Sequence, residues 1–296
     1  MATTPITPVA RKLVHVQGIV QGVGFRPFVY NLAQSLTLTG HVFNTSAGVT
    51  IEIEGPTPTL DTFLSQLQSN PPPLAEITGV TISPINPLGD TTFAILHSHQ
   101  KPGDFVLISP DAGTCDACWS DISDPANRRH GYAFTNCTHC GPRYTIVQDI
   151  PYDRANTTMS AFTMCPACAA EYADPTNRRF HAQPNACPVC GPSLALIPTG
   201  ATLTQSTFSA DSTTAIHQAR QLLREGRILA IKGLGGFLLA CDATNESAVA
   251  ELRRRKHRPA KPFALMARDL ASIHALCDIS SLWGIPDERK HRLKYC

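Results

Sequence analysis

Cys137-Thr138-His139-Cys140-Gly141-Pro142 contains one of four Cys-x2-Cys pairs in the middle of this 296-residue chain. Fifty residues further on, Cys187-Pro188-Val189-Cys190-Gly191-Pro192 repeats the pattern, and an Asp-Pro-x-Asn-Arg-Arg segment repeats with it. Each copy has two such pairs separated by eighteen residues, a spacing typical of a closed tetrahedral zinc site. We therefore predict a duplicated module with two structural zinc ions. The predicted ligands are Cys115, Cys118, Cys137, Cys140, Cys165, Cys168, Cys187 and Cys190.

Spacing alone leaves alternatives for how these cysteines are used. Disulfide bonds are disfavoured, because the first residues contain no apolar signal segment and a reducing cytoplasm keeps thiols reduced. Consecutive pairs within one copy are favoured to share an ion over an interleaved arrangement. Few apolar residues lie between the pairs, so metal binding should supply folding free energy on the order of 10 kcal/mol per site. Cys241, Cys277 and Cys296 have no partner at this spacing.

Charged residues flank the predicted zinc sites. Four thiolates around each Zn2+ leave a charge of −2 per site, which takes the formal net charge of +2 to about −2. Arginines near the cysteines can compensate this charge, although ordinary solvated charges explain each of them equally well; these are Arg128, Arg129, Arg143, Arg178 and Arg179. Nearby histidines are not predicted as ligands, because four sulfurs already fill a tetrahedron; these are His130, His139 and His181.

The composition limits what the whole chain can be. Hydrophobic residues make up 43% and charged residues 16%, which argues against long disorder, and the length predicts two or three domains. No apolar run is long enough to cross a bilayer, and a net charge of +2 gives no general attraction to polyanions. We therefore predict a cytoplasmic protein without a membrane partner, and we do not expect a nucleic-acid partner.

The first hundred residues alternate strands and helices. Apolar residues after Pro27 recur at helical spacing up to Gly40, the predicted glycine just beyond the helix end, and 60–67 form a second helix. The predicted strands are 12–20, 41–45, 49–54, 77–83 and 92–98. The order β-α-β-β-α-β predicts a ferredoxin-like fold.

Between the first strand and the first helix lies the loop Gln21-Gly22-Val23-Gly24-Phe25-Arg26. Glycines let backbone N–H groups turn inward at the positive end of a helix, which makes a cradle for a phosphate-like anion. Arg26 adds a planar guanidinium that can bind two phosphate oxygens. A tight structural turn explains the glycines equally well.

This N-terminal region resembles the acylphosphatase family. The resemblance is carried by residues 16–26, by Gly40-His41-Val42-Phe43-Asn44-Thr45 and by Gly48-Val49-Thr50-Ile51-Glu52. It implies that Arg26 binds the phosphate, with 21–26 as the phosphate-binding loop, and that Asn44 orients the attacking water. Acyl phosphates are already activated, so such a site needs positioning and charge stabilisation more than a strong nucleophile.

A third pattern begins after a Thr- and Ser-rich linker. The sequence predicts a helix ending at Gly226, then a strand, the loop Lys232-Gly233-Leu234-Gly235-Gly236 and another helix. The segment Lys256-His257-Arg258-Pro259 follows, and a strand is predicted to end at Met266. Glycines and clustered cations indicate a phosphate ligand, although the basic helix end is also explained by the helix dipole. The stretch resembles YrdC-type domains, which activate a carboxylate-like group with ATP. The implied nucleotide- and carbamate-binding residues are Lys232, Lys256 and Arg258.

The order of these parts resembles the HypF family, carbamoyltransferases that mature nickel-iron hydrogenases. Residues 136–146 and 177–184 also resemble this family. The resemblance implies carbamoyl phosphate and ATP, with Mg2+, as substrates and carbamoyl adenylate as an intermediate. It also implies a HypE protein partner, whose C-terminal cysteine receives the carbamoyl group that becomes a cyanide ligand.

The expected fold is therefore α+β with several domains. The predicted limits are 10–100 for a ferredoxin-like acylphosphatase domain, 108–198 for the duplicated four-Cys zinc module, 199–212 for a linker, 213–280 for an incomplete α/β YrdC-like domain and 281–296 for an aberrant tail. The tail lacks the expected strand and is interpreted as a truncation or frameshift. Acyl or carbamoyl phosphate hydrolysis is expected from this chain, and complete transfer is not. The alternative is a zinc-dependent nucleic-acid or protein binding module; zinc lobes that serve as scaffold fit the first interpretation.

Overall fold

The computed structural model describes residues 8–98, 107–200, 212–233 and 236–276. The chain divides into two compact units, one of Met1–His130 with Phe134–Gly191 and the other of Gly131–Ala133 with Pro192–Cys296. The predicted tail, most of the predicted linker and two residues of the second glycine loop lie outside the described residues. Among the helices described, none combines the length and apolarity that crossing a membrane requires.

The first unit begins with a five-stranded sheet and two helices. The strands are β1 Val9–Ile19, β2 Thr39–Thr45, β3 Gly48–Pro56, β4 Glu76–Ile85 and β5 Phe93–Ile95, and the helices are α1 Phe25–Ser35 and α2 Thr57–Ser69. The sheet order is β4-β1-β3-β2-β5, antiparallel except for β5, which runs parallel to β2. This topology confirms the predicted ferredoxin-like fold.

Alternating apolar residues give this sheet one buried face. Val14 and Val16 of β1 and Ile51 and Ile53 of β3 have no exposed surface, because their side chains point to the face that both helices cover. The helices contribute apolar residues at helical spacing, among them Phe25, Val29, Leu60, Phe63 and Leu67. The register of β2 on β3 places Asn44 opposite Val49, at the hairpin end.

One glycine has a different role from the one the sequence indicates. The helix α1 ends at Ser35, and Gly40 lies within β2 with φ 126°, so the predicted helix end at Gly40 is wrong. Thr37, with φ 54°, takes the left-handed conformation after the helix instead. Gly40 is required for another reason: a Cβ there would lie 2.1 Å from the carbonyl oxygen of Glu52 in β3.

The rest of the first unit contains the cysteine repeat and little regular structure. We call residues 107–130 and 134–191 the finger part; it contains α3 Asp116–Ser123, α4 Pro166–Ala173 and two short 3-10 helices, Arg154–Asn156 and Thr158–Ala161. Each α-helix begins directly after the first cysteine of its copy, so the Cys-x2-Cys spacing places the second sulfur one helical turn further on.

The second unit contains α5 Ser212–Arg224, β6 Leu229–Lys232, β7 Phe237–Ala240, α6 Glu246–Arg255 and α7 Leu270–His274. Gly226, with φ 74°, follows the end of α5 as predicted. The predicted strand ending at Met266 is absent from the described residues, because 262–266 pairs with neither strand of the β6–β7 hairpin. Instead, the ring of Phe263 lies under the guanidinium of Arg253, 4.7 Å from its carbon.

Candidate functional site

The loop 21–26 forms a cradle at the start of α1. Gly22 and Gly24 adopt left-handed conformations, with φ of 73° and 77°, and Gly24 caps the helix. The N–H groups of this turn therefore lie at the positive end of α1, where an anion is stabilised. A cavity beside the loop has a free volume of about 20 Å3, which is room for about one water molecule.

Arg26 and Asn44 meet in this cavity. Arg26 comes from α1 and is 8% exposed, and Asn44 comes from β2 and is 1% exposed. With its amide oxygen toward the guanidinium, Asn44 accepts hydrogen bonds from Nε and Nη2 of Arg26, both at 3.3 Å. The fold thus brings together the loop, the cation and the amide that the sequence indicated separately.

A segment of the finger part covers the cradle. We call residues Pro151-Tyr152-Asp153-Arg154 the covering segment. The N–H of Tyr152 donates to Oε1 of Gln21 at 2.9 Å, and its carbonyl oxygen accepts from Nη2 of Arg26 at 3.3 Å. The carboxylate of Asp153 pairs with Nη1 of Arg26 at 2.7 Å. The sequence does not predict these residues as part of the site; the one available signal is their position between the two cysteine copies.

Two further residues shape the electrostatics of the cavity. Burial and the charge of Arg26 lower the pKa of His181 to about 4, so the imidazole is neutral at pH 7. Burial raises the pKa of Tyr152 to about 12, which keeps its phenol protonated. Both groups are therefore uncharged at pH 7, and Arg26 and Arg143 are cations that line the cavity.

Arg143 joins the cradle to the first cysteine cluster. Its Nε donates to the carbonyl oxygen of Gly22, and its Nη atoms donate to the carbonyl oxygens of Cys137 and Thr138 at 3.0 and 2.9 Å. The sequence predicts Arg143 among the residues that compensate the thiolates. The contacts described for it go to backbone carbonyls, because the turn after Cys140 directs the side chain toward the loop.

The eight cysteines form two clusters that fit a metal ion. The four sulfurs of each cluster lie within 4.8 Å of one another, and each cluster contains the two consecutive pairs of one copy. The Sγ–Sγ distances include 3.7 Å for Cys115–Cys137 and Cys165–Cys187 and 3.8 Å for Cys137–Cys140 and Cys187–Cys190. A tetrahedral zinc site with bonds of 2.3 Å has edges of about 3.8 Å, so the donor set and geometry fit Zn2+.

Arginines from each copy reach the cysteines of the other. Arg128 and Arg129 donate to Sγ of Cys168 and pair with Glu171 in the second copy. Conversely, Arg178 donates to Sγ of Cys118, and both Arg178 and Arg179 pair with Asp121 in the first copy. Three of these four arginines therefore contact a sulfur of the other copy, and the fourth, Arg179, contacts Asp121 and the carbonyl oxygen of Asn136.

The three cations predicted in the second unit make different contacts. Lys232 ends β6, with Nζ 5.5 Å from the ring centre of Phe237. Lys256 caps the C-terminus of α6 and is exposed. Arg258 donates to the carbonyl oxygens of Lys261 and Pro262, so its guanidinium is turned toward its own loop.

Three family models match the chain. The Acylphosphatase model matches residues 12–95, and the HypF finger model matches 114–147 and 164–197, one match for each copy of the repeat. The model described as Telomere recombination, of the Sua5, YciO and YrdC group, matches 221–292. This last match extends into residues 281–296, which the sequence analysis set apart as a tail.

Full-length comparisons agree with this order of parts. The chain is 52% identical over 267 residues to the carbamoyltransferase HypF of Rhodobacter capsulatus, which covers 89% of this chain and 34% of that protein. The chain belongs to the HypF family. It spans about a third of the length of the curated HypF relatives it matches.

Two further similarities concern the structure and the first domain of this HypF-family chain. It is similar to the crystal structure of a full-length HypF in the phosphate- and nucleotide-bound form, with a TM-score of 0.86 and 44% identity over 94% of this chain and 36% of that one. Over 83 residues it is 41% identical to an acylphosphatase of Thermotoga petrophila, covering 28% of this chain and 91% of that protein. The first domain of the HypF-family chain is therefore an acylphosphatase domain.

Proposed function

We propose that this chain hydrolyses carbamoyl phosphate at the cradle of its acylphosphatase domain. The observation that carries the proposal is the convergence of the glycine loop, Arg26 and Asn44 on one buried cavity. The loop N–H groups and the guanidinium bind the phosphate, and Asn44 orients a water molecule. Water adds to phosphorus, the bond from phosphorus to the carbamoyl oxygen breaks, and carbamate and dihydrogen phosphate leave. Both protons of the water molecule stay with the phosphate, so the reaction requires no additional proton donor.

The test is phosphate release from carbamoyl phosphate by the full chain. Arg26→Ala should lower kcat/KM by about a hundredfold or more, because a transition-state cation is lost, and Asn44→Ala should lower mainly kcat. Lys12→Ala is the matched control, since Lys12 is a cation of the same domain that pairs with exposed Asp61. Equal rates for the wild type and Arg26→Ala would contradict the proposal.

For the finger part we propose two bound Zn2+ ions that act as a scaffold. The eight clustered cysteines would hold them, and closing these sites would fix the covering segment over the cradle. Elemental analysis should find two zinc ions per chain. A nucleic-acid binding role is less well supported, because Arg128, Arg129, Arg178 and Arg179 are paired with sulfurs and carboxylates.

For the complete HypF-family protein we propose carbamoyl transfer to hydrogenase maturation partners in the cytoplasm. In this proposal, ATP with Mg2+ and carbamate meet near Lys232, Lys256 and Arg258 to form carbamoyl adenylate, and HypE receives the carbamoyl group. The relatives named carbamoyltransferase and the phosphate- and nucleotide-bound HypF structure support it. Titration of the chain with Mg-ATP, with Lys256→Ala as comparison, tests the nucleotide step; identical affinities would contradict the assigned residues.

A further inference from the structure

The covering segment places a carboxylate on the guanidinium that the proposed function assigns to phosphate. Oδ1 of Asp153 lies 2.7 Å from Nη1 of Arg26, and the two side chains are 25% and 9% exposed. The cavity beside this ion pair is small, with a free volume of about 20 Å3. A phosphate that accepts a hydrogen bond from Nη1 of Arg26 therefore takes the place of Asp153 at this contact.

Among the described cations that line the cavity, none is ready to replace Arg26 as the partner of Asp153, because Arg143 donates to backbone carbonyl oxygens. The guanidinium of Arg154 donates to the carbonyl oxygens of Gln183, Asn185 and Phe162 at 2.6 to 2.9 Å, so its donors are engaged. His181, which also lines the cavity, is neutral because burial and Arg26 lower its pKa to about 4. A partly buried carboxylate without a donor is costly, so it favours any ligand that supplies one.

The wall of the cavity formed by the covering segment offers hydrogen-bond acceptors. These are the carboxylate of Asp153 and the carbonyl oxygen of Tyr152, which accepts from Arg26 at 3.3 Å. The side chain of Gln183 is already satisfied: its Oε1 accepts from the N–H of Arg154 and its Nε2 donates to the carbonyl oxygen of His181. A ligand group with N–H donors matches this wall, whereas a methyl group offers no donor to the displaced carboxylate of Asp153.

Resting on the proposed function, we infer that Asp153 is a specificity-determining residue that selects carbamoyl phosphate over acetyl phosphate. The phosphate takes the guanidinium of Arg26, and the NH2 of the carbamoyl group donates to the carboxylate that the phosphate has displaced. Acetyl phosphate has the same phosphate and a methyl group in place of the NH2. It therefore displaces Asp153 without restoring a hydrogen bond, and sites built around such bonds reject analogues that lack the donor.

The test exchanges NH2 for CH3 in substrates and in stable analogues. The full chain is assayed with carbamoyl and acetyl phosphate, and binding is measured with carbamoylmethylphosphonate and acetonylphosphonate, which cannot be hydrolysed at the phosphonate. The wild type should prefer the carbamoyl member of each pair by about tenfold or more. Asp153→Ala should reduce this preference to within about twofold, because the displaced carboxylate is gone.

Matched variants keep the result interpretable. Asp149→Ala changes an exposed aspartate four residues away and should retain the preference. Asp153→Leu fills the position with a side chain that has no hydrogen-bond acceptor, so it repeats the measurement if Asp153→Ala melts early. A wild type without preference, or an Asp153→Ala variant that retains it, would overturn the inference.

Two other results separate this inference from the proposed function. If Asp153→Ala binds both analogues and inorganic phosphate more tightly by the same factor, Asp153 only competes with phosphate for Arg26, and the specificity role is wrong. If the wild type binds the carbamoyl analogue preferentially but releases no more phosphate than Arg26→Ala, the proposed hydrolysis fails and the specificity role stands. If the wild type hydrolyses carbamoyl and acetyl phosphate equally well, the proposed hydrolysis stands and the specificity role of Asp153 is wrong.

Discussion

Nη1 of Arg178, in the second copy of the cysteine repeat, lies 2.8 Å from Sγ of Cys118 in the first copy. The first copy makes the reciprocal contact, since the Nη atoms of Arg128 lie 3.4 and 3.3 Å from Sγ of Cys168 in the second copy. Each cluster therefore has its thiolate charge compensated by the other copy. The two copies depend on each other electrostatically, although each contributes its own four sulfurs.

Arg178→Ala should weaken the first metal site although Arg178 belongs to the second copy. Loss of a group that orients or neutralises a ligand lowers metal affinity by about 10- to 100-fold. Transfer of zinc to a chelator should then show one ion leaving early. Cadmium-113 NMR, with resonances assigned through Cys118→Ser and Cys168→Ser, identifies the site. Arg128→Ala is the reciprocal control and should weaken the second site. If either substitution instead weakened the metal site of its own copy, the crossed arrangement would be contradicted.

Removal of zinc should unfold the finger part while the acylphosphatase sheet persists. The buried apolar cluster of this part is small, comprising Ile146, Met159 and Ala186, so metal binding worth about 10 kcal/mol or more per site decides its stability. Near-ultraviolet circular dichroism and metal content measured during chelation check this. Cys118→Ser should lose one ion per chain, whereas Cys241→Ser, outside both clusters, should keep two. Unchanged structure after complete zinc removal would be inconsistent with this expectation.

Glu54 should make the stability of the acylphosphatase domain depend on pH. Burial raises its pKa, but hydrogen bonds from the N–H of Leu88, from Arg11 and from the N–H of Gly89 outweigh burial and hold the pKa below its ordinary value. The stabilisation is therefore complete above the unfolded-state pKa. It is lost as the pH falls from about 4.3 through the lower folded-state pKa.

The substitution Glu54→Gln checks this by urea unfolding at several pH values. It should cost about 1 to 3 kcal/mol at pH 7 and flatten the loss of stability in acid. Asp61→Asn is the control, because Asp61 is 63% exposed and such surface pairs contribute about 0 to 1 kcal/mol. Parallel pH curves for the wild type and Glu54→Gln would show that the acid sensitivity lies elsewhere.

Gly40→Ala should destabilise the sheet more than a glycine substitution in open space. At Gly40 the new Cβ would overlap the carbonyl oxygen of Glu52, so β2 must move away from β3, at a cost of about 3 kcal/mol or more. Gly89→Ala also strains a positive φ, but nothing lies within 4 Å, and about 1 kcal/mol is expected. Thermal unfolding of both variants separates the effect of the overlap from that of backbone strain. Equal losses of stability in the two variants would contradict the prediction.

The sequence by itself determined the features that depend on local spacing. The alternation of β1 and β3, the helical periodicity of α1 and α2 and the Cys-x2-Cys turns are each set within a few residues, and the structure contains them. Gly226 follows its helix as predicted, because a helix end is a local event. The prediction for Gly40 is wrong, because its need for glycine comes from a carbonyl on another strand.

The tertiary structure alone decided what meets the phosphate cradle. The contact of Asp153 with Arg26 joins positions more than a hundred residues apart, and so does the hydrogen bond from Tyr152 to Gln21. Short-range patterns report which residues share a helix face or a strand face, and they carry no information on which distant segment covers a cavity. That choice is made by the packing of the finger part against the acylphosphatase domain, because burial and hydrogen bonding are satisfied only when both are folded.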